Sequence, residues 1–409
     1  MVSHQPESGI ESPYAWRRLL ASLAISTIGG IGLWSVVVVL PMVQAEFKVD
    51  RADASLPYTA TMVGFSVGAI FMGRLADRKG IVWPLTIGAI MLSIGYIAAS
   101  HATSLWQFIL AQGLLIGMAG SSATFAPLIA DVSHWFTRNR GIALSICASG
   151  NYLAGTIWPP LIQHLAQSQG WRSAMLYVGL FCAASMLPLI LCLRRRSPVG
   201  HAETIAHAAA GPARQMTVSP AILQAILAFA AIACCVAMSM PQVHIVAYCV
   251  DLGYGPARGA EMLSVMLGLG VVSRLASGWI ADRIGGVRAL LLGSALQCLT
   301  LILYLPFDGM MSLYVVSALF GLSQGGIVPA YAIIVREYFP AKEAGTRIGF
   351  VITASIVGMA LGGWMTGAIF DWTGSYQVAF LNGIVWNLLN LAVPLWLLLQ
   401  PRRPQMAAA

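Results

Sequence analysis

Charge is scarce in this sequence. Asp, Glu, Lys and Arg together make up 9% of its 409 residues, whereas soluble domains carry about 25%. With 58% of residues hydrophobic, no soluble core could bury the apolar surface, and a soluble globular protein is excluded. Cysteine is sparse and unpatterned. Cys147, Cys182, Cys192, Cys234, Cys235, Cys249 and Cys298 sit in or near apolar runs, and none forms a Cys-x-x-Cys pair. They read as small packing residues rather than disulfide partners or metal ligands. There is no Gly-x-x-x-x-Gly-Lys-Ser/Thr phosphate loop and no His-Glu-x-x-His signature. Neither ATP hydrolysis nor metalloenzyme chemistry has support, and no cofactor or metal is expected.

Long apolar runs fill the space instead. Twelve can be read, each about 20 residues or longer, enough to cross a hydrocarbon core of roughly 30 Å as helices. They lie at 18–44, 54–76, 81–100, 104–131, 140–166 and 172–193, then at 219–249, 258–281, 287–306, 310–335, 345–370 and 375–399. The one long polar linker, 194–218, separates the two sets and opens with Arg194-Arg195-Arg196. The expected fold class is all-α integral membrane, with twelve transmembrane helices in two pseudo-symmetric six-helix bundles. The expected organisation is a tail at 1–17, bundles at 18–193 and 219–399, the linker between them, and a tail at 400–409. The first apolar run is too long for a signal-peptide h-region and no small-residue cleavage site follows it, so no cleavable signal is expected.

The net charge of +8 does not indicate nucleic acid, because the basic residues are scattered between apolar runs. With the N-terminus placed inside, eighteen of the 23 basic residues fall in inner segments, and four, Lys48, Arg51, Arg172 and Arg258, fall in outer loops. This asymmetry predicts that both termini and the linker are cytoplasmic. The short loops and termini suit a bacterial inner membrane.

An internal repeat supports the division into halves. Gly73-Arg-Leu-Ala-Asp77-Arg78-Lys-Gly80 follows the second span and Gly278-Trp-Ile-Ala-Asp282-Arg283-Ile-Gly285 follows the eighth, at an offset of 205 residues. Gly170 and Gly179 pair more weakly with Gly374 and Gly383, at an offset of 204. Two six-helix halves in parallel orientation are a design common among transporters.

One basic residue belongs to neither side. Arg274 stands inside an apolar segment rich in Gly, Ala and Ser, about 12 Å from the charged helix end at Asp282, near mid-membrane. Its insertion costs about 2.5–3.5 kcal/mol, so something must compensate. A structural ion pair needs a carboxylate at membrane depth, and none is evident. Asp131 and Glu337 fall near span ends, and Glu261 lies 13 residues away on the same helix, about 20 Å. Leu267, Gly270, Val271, Ser277 and Gly278 flank Arg274 at helical spacing, a small face that permits close packing or a cavity. A guanidinium fork suits a carboxylate, and an anionic substrate is the functional reading.

Several of these residues resemble the major facilitator superfamily. The Gly-x-Leu-Ala-Asp-Arg-x-Gly loop between the second and third spans is similar to its signature, and the resemblance covers nearly the whole chain. Within the superfamily the chain is similar to the monocarboxylate transporter and oxalate/formate antiporter branch. Gly32-Leu-Trp34 leads to Leu40-Pro-Met-Val-Gln-Ala-Glu-Phe47. Trp135-Phe-Thr-Arg138-Asn-Arg140-Gly141 precedes Ser149-Gly150-Asn151-Tyr152, Pro159-Pro160 and Gly170-Trp-Arg172. Arg274 matches the arginine that binds substrate carboxylate in this branch. Three positions depart. Gly270 stands where proton-coupled members often carry an acid, Met42 where animal members carry a lysine, and 348–370 hold no Lys or Arg where the oxalate antiporter has a second cation. One buried cation suits one carboxylate better than two.

The resemblance also implies that Tyr152 is a substrate-site aromatic, and Asn151 lies beside it. Trp34, Tyr331 and Gln324 complete the candidate pocket. The plainer reading of each is core packing or an interhelical hydrogen bond. His244, towards the outer end of the seventh span, is a candidate proton carrier because its unperturbed pKa is about 6.5, or else a packing histidine. Asp77, Arg78, Asp282 and Arg283, joined by Arg138 and Arg140, are the expected conformational latch between the halves; topology alone is the plainer reading. By resemblance the loop aspartate holds the outward-open state. The expected function is alternating-access secondary transport of a small organic monocarboxylate, by symport, antiport or uniport. Its expected partners are the carboxylate, protons or a counter-transported anion, and the bilayer, and the chain is expected to be monomeric. The alternatives are a facilitator exporting a drug-like or amphipathic compound and a transport-dead membrane sensor.

Overall fold

Serine, proline and glycine punctuate the chain where the hydropathy pattern breaks. The computed structural model describes residues 10–195 and 218–400, and all regular structure among them is helical. The first helix, α1, is Pro13–Phe47; then follow α2, Arg51–Lys79, α3, Val82–Ser100, and α4, Leu105–Ser133. The fifth, α5, comprises Arg140–Ala148 and Gly150–Gln169, and α6 is Trp171–Leu191. After the linker come α7, Pro220–Asp251, α8, Pro256–Ile284, α9, Gly286–Leu303, α10, Met310–Tyr338, α11, Ala341–Thr373, and α12, Tyr376–Leu399. The tail at 1–9, most of the linker (196–217) and the tail at 401–409 lie outside the described residues.

Local chemistry sets the ends. Ser12 Oγ accepts the Ala15 amide at 3.3 Å with Pro13 in the first turn, and Ser219 does the same for Ile222 ahead of Pro220. Each satisfies an otherwise unpaired N–H at a helix start. The last glycine of each repeated loop ends its helix with a positive φ, 84° at Gly80 and 83° at Gly285, a conformation glycine adopts without a Cβ penalty. That is the physical reason both copies close on glycine.

Among the described residues, eleven helices are long and apolar enough to cross a membrane. The twelfth expected span is α5, whose second part carries Asn151, Gln163, His164, Gln167 and Gln169. Of these Gln163 is buried, Asn151 half-buried, and His164, Gln167 and Gln169 are exposed in the last two turns. Among the described residues, α1 is interrupted at Gly30, α4 by a wide π-helical stretch at Ala111–Gly120, α5 at Ser149 and α10 at Gly325-Gly326. Interruptions at this depth need protein partners. Ser121 Oγ donates to Gly29 O at 2.8 Å and Trp158 Nε1 to Thr27 O at 2.8 Å.

Within the first half α3 packs on α6 and α2 on α4; within the second, α7 packs on α11 and α12, and α8 on α10. Two helix pairs form most of the contact between halves, α2 with α11 and α5 with α8. Large side chains such as Phe71, Trp83, Trp106 and Val315 face outward, as lipid contact requires. All seven cysteines are free, and Cys192 alone among them is exposed.

Candidate functional site

The α5–α8 contact carries the central cluster. Arg274 lies on α8, half-buried, with its guanidinium carbon 4.4 Å from the Tyr152 ring centroid. Cation–π contact of this kind contributes about 0.5–2 kcal/mol. Arg274 Nη1 donates to Ala148 O at 3.1 Å, and Nε approaches Gly325 O at 3.5 Å. These carbonyls lie at the interruptions of α5 and α10, where the end of a helical segment presents partial negative charge. Neither bond uses Nη2. Among the described residues no carboxylate pairs with Arg274.

Gly270 has a steric reason to be glycine. A Cβ there would lie 2.6 Å from Cδ1 and Cε1 of Tyr152, so an acidic side chain and this ring placement exclude one another. Gly325 is equally constrained: its Cβ would meet Gly270 O at 2.4 Å and the Arg274 amide at 2.7 Å. The tyrosine ring fills the space an acidic side chain at position 270 would need, and α10 rests directly on the backbone of α8 beside the arginine.

Trp34 closes the other side. Its Nε1 donates to Asn151, reaching O at 3.1 Å and Oδ1 at 3.2 Å. Gly155 gives the indole room, since a Cβ there would lie 3.0 Å from Trp34 Cε2. The structure therefore joins Trp34, Asn151, Tyr152 and Arg274 in one chain of contacts. Gln324 precedes Gly325 and accepts a 2.5 Å bond from Gln242 Nε2; sequence reasoning did not single out Gln242.

Tyr331 and His244 belong to other networks. Tyr331 Oη donates to Asn390 Oδ1 at 2.6 Å, and Asn390 Nδ2 to Ser294 Oγ at 2.7 Å, joining α10, α12 and α9. His244 is 1% exposed. Its Nδ1 lies 3.2 Å from Tyr376 Oη and its Nε2 2.8 Å from Gly363 O.

That histidine adjoins a lock that sequence reasoning missed. Arg51, at the first turn of α2, forks onto Asp251 at 2.9 and 3.3 Å and donates to Tyr376 Oη at 2.5 Å. Its guanidinium carbon lies 4.6 Å from the Phe370 ring centroid. Asp371 accepts the Arg51 and Ala52 amides at 2.8 and 2.6 Å, so a carboxylate of α11 caps the N-terminus of α2. These bonds tie the first half to α7, α11 and α12 of the second. The opposite end of the molecule differs. Asp77, Arg78, Asp282 and Arg283 are exposed, and among the described residues no ion pair joins them. Arg283 lies over Trp279 at 3.5 Å instead. A cleft of about 530 Å³, lined by Gln224, Glu343, Thr346, Arg347 and Phe350, opens at that end. Arg138 is exposed and Arg140 half-buried, both in the same region. Nearby, within the first half, buried Arg18 forks onto Asp131 at 2.9 and 2.8 Å, which engages one of the acids considered for Arg274.

A family model described as Major Facilitator Superfamily matches residues 22–314 and 271–408. Monocarboxylate transporter 13 of Bos taurus is 30% identical over 332 residues, spanning 80% of this chain and 75% of that protein. Agnestins efflux protein AgnL12 of Paecilomyces divaricatus is 24% identical over 348 residues, spanning 84% and 78%. Among solved structures, a bacterial homolog of the human lysosomal transporter Spinster, in an inward-facing and occupied conformation, superposes with a TM-score of 0.72 at 15% identity, covering 97% of this chain and 100% of that one. The last likeness concerns the fold. With the family model and the sequence relatives, the twelve helices place the chain in the Major Facilitator Superfamily, as a monocarboxylate transporter-like membrane transporter and not an enzyme.

Proposed function

We propose that this chain is a secondary active transporter of a small organic monocarboxylate, working by alternating access, with the carboxylate bound by Arg274. The observation that carries the reading is an arginine inside a membrane-spanning helix that faces a tyrosine ring and two carbonyls but, among the described residues, no carboxylate. Carbonyl contact and the ring offset part of the cost of its charge, and an anion supplies the rest. Nη2 remains for the second arm of a bidentate carboxylate. Trp34, Asn151 and Tyr152 shape the pocket on one side and Gln324 on the other; Tyr331 supports the α10 wall through Asn390.

The two halves, 18–193 and 219–399, rock about this site. On the charge distribution the Arg51 end is outside, and the Asp77 end and both termini are cytoplasmic. The described state is then closed outside and open inside. Asp77, Arg78, Asp282 and Arg283, with Arg138 and Arg140, form the latch that closes in the opposite state. His244 contacts the same Tyr376 hydroxyl that Arg51 bonds, so a proton role for it would act on the lock. A bacterial inner membrane and a monomer complete the proposal.

The test is uptake of labelled lactate, pyruvate, 2- and 3-hydroxybutyrate, formate and oxalate into proteoliposomes, with and without an inward proton gradient. Arg274→Ala is run beside the unaltered protein. Saturable uptake of a monocarboxylate that Arg274→Ala abolishes supports the reading, and its response to the gradient decides coupling. Flux indifferent to Arg274 sinks it. The similarity to an efflux protein favours one second reading, export of a drug-like or amphipathic compound. Flux that carboxylate blocking leaves unchanged would select it.

A further inference from the structure

The second half buries an amide pair whose hydrogen-bonding capacity is only partly used. Gln242 on α7 and Gln324 on α10 are 2% and 0% exposed. One bond joins them, from Gln242 Nε2 to Gln324 Oε1 at 2.5 Å. Gln242 Oε1 and Gln324 Nε2 are left without a partner. Exchanging O and N in both amides reverses the joining bond and still leaves one donor and one acceptor, so the surplus does not depend on how the amides are oriented. Leaving a buried polar atom unpaired is costly, and such pairs persist where a ligand or an ordered water completes them.

The pair adjoins the arginine. Gln324 is followed by Gly325, whose carbonyl accepts from Arg274 Nε and where an added Cβ would meet Gly270 O at 2.4 Å and the Arg274 amide at 2.7 Å. α10 therefore holds Gln324, and through it Gln242, next in sequence to a residue whose carbonyl bonds Arg274.

Resting on the carboxylate reading of Arg274, we infer that Gln242 and Gln324 recognise a hydroxyl group on the substrate, so that the transported acid is a hydroxy monocarboxylate. A hydroxyl satisfies both free atoms at once, accepting from Gln324 Nε2 and donating to Gln242 Oε1. A keto oxygen only accepts and leaves Gln242 Oε1 unpaired. A second carboxylate sets its lone pairs against Gln242 Oε1 with no cation to offset them. An unsubstituted acid leaves both amide atoms unpaired. Sites built to bond a substrate hydroxyl reject the analogue that lacks it far more strongly than apolar pockets reject an extra methylene.

The experiment compares 3-hydroxybutyrate with butyrate, and lactate with propionate, as labelled substrates for the reconstituted full chain. The readout is the ratio of kcat/KM for each hydroxy acid over its unsubstituted partner. The unaltered protein is expected to favour the hydroxy acid at least about tenfold in at least one pair. Gln242→Met and Gln324→Met, which keep side-chain length without the amide, are expected to bring that ratio to about one through loss of kcat/KM for the hydroxy acid. A monodisperse size-exclusion profile in detergent shows that the variants fold. Arginine-dependent uptake with no preference in the unaltered protein overturns this inference alone, and needs no variant. A preference that both Met variants retain also overturns it. No uptake of any acid, or uptake that Arg274→Ala leaves intact, overturns the carboxylate reading and this inference with it.

Discussion

At the Arg51 end, α2 and α11 meet backbone to backbone; at the Asp77 end they part. A Cβ on Gly367 would lie 2.8 Å from Arg51 O and 2.9 Å from Ala52 Cα, whereas Gly73 on α2 and Gly345 and Gly349 on α11 have nothing within 4 Å of theirs. Yet the two ends carry similar chemistry. Arg51 sits at a helix N-terminus, and Asp251 and Asp371 sit at or near helix C-termini, each where the helix dipole disfavours its charge. Each is partnered across the halves. Asp77 and Asp282 also lie near helix C-termini, and they carry no ion pair among the described residues. Misplaced charges thus mark both ends of the same helix pair. On the alternating-access proposal they are satisfied one end at a time, with Asp371 capping α2 now and Asp77 meeting α11 in the opposite state.

Breaking the Arg51 lock should do most to erase this contrast. Arg51 is buried but Asp251 is partly exposed, so removing the arginine costs less than a fully buried pair's loss of about 3–5 kcal/mol. Even a loss of about 2 kcal/mol shifts a two-state equilibrium roughly thirtyfold. Spin labels at Asp53→Cys and Trp372→Cys, with Cys192→Ser to remove the exposed native thiol, are expected to report one short distance. Arg51→Ala should shift it to longer values, and an unchanged distance would remove the lock from the account.

Gly367→Leu should act in the same direction more weakly, by about 1–3 kcal/mol of overpacking. Gly278→Leu, facing open space, should leave the same distance unchanged. Equal effects at both glycines would contradict the comparison. Tyr376→Phe removes the hydroxyl that Arg51 and His244 share. It should lower stability by about 1 kcal/mol, read as a lower Tm in detergent, without altering which acids bind. Asp77→Asn should leave the Tm unchanged and slow turnover, because its partners belong to the opposite state. A variant that transports at the full rate would argue that the loop serves topology alone.

How far the sequence could be read follows from these same residues. Apolar runs, the basic residues and the 205-residue repeat identify the helices and their division, because hydropathy and charge are local signals. Arg51 and Asp251 are 200 residues apart, and only helix packing brings them together, so Arg51 counted merely as an outer-loop charge. An arginine opening a helix was nevertheless a usable sign, since such a charge needs a specific partner. At the centre, Arg274 stood out because an arginine inside an apolar run has few explanations. The missing acid at Gly270 was visible, but its cause, the Tyr152 ring, comes from another helix. Gln242 gave no signal, because a glutamine among apolar residues does not reveal whether its amide is satisfied. Tyr331 looked equivalent to Tyr152, and only side-chain contacts separate them: Tyr331 bonds Asn390 while Tyr152 faces Arg274.

The most direct test of the central claim is calorimetric titration of the purified full chain with a monocarboxylate that it transports, comparing the unaltered protein with Arg274→Ala and Arg274→Lys. If Arg274 binds the carboxylate, the alanine variant should lose roughly 10- to 100-fold or more in affinity, the worth of a charge-assisted hydrogen bond pair. Lysine, a point charge without the fork, should recover only part of it. Affinity in Arg274→Ala equal to that of the unaltered protein would contradict the account and leave Arg274 as a structural tie between α5, α8 and α10.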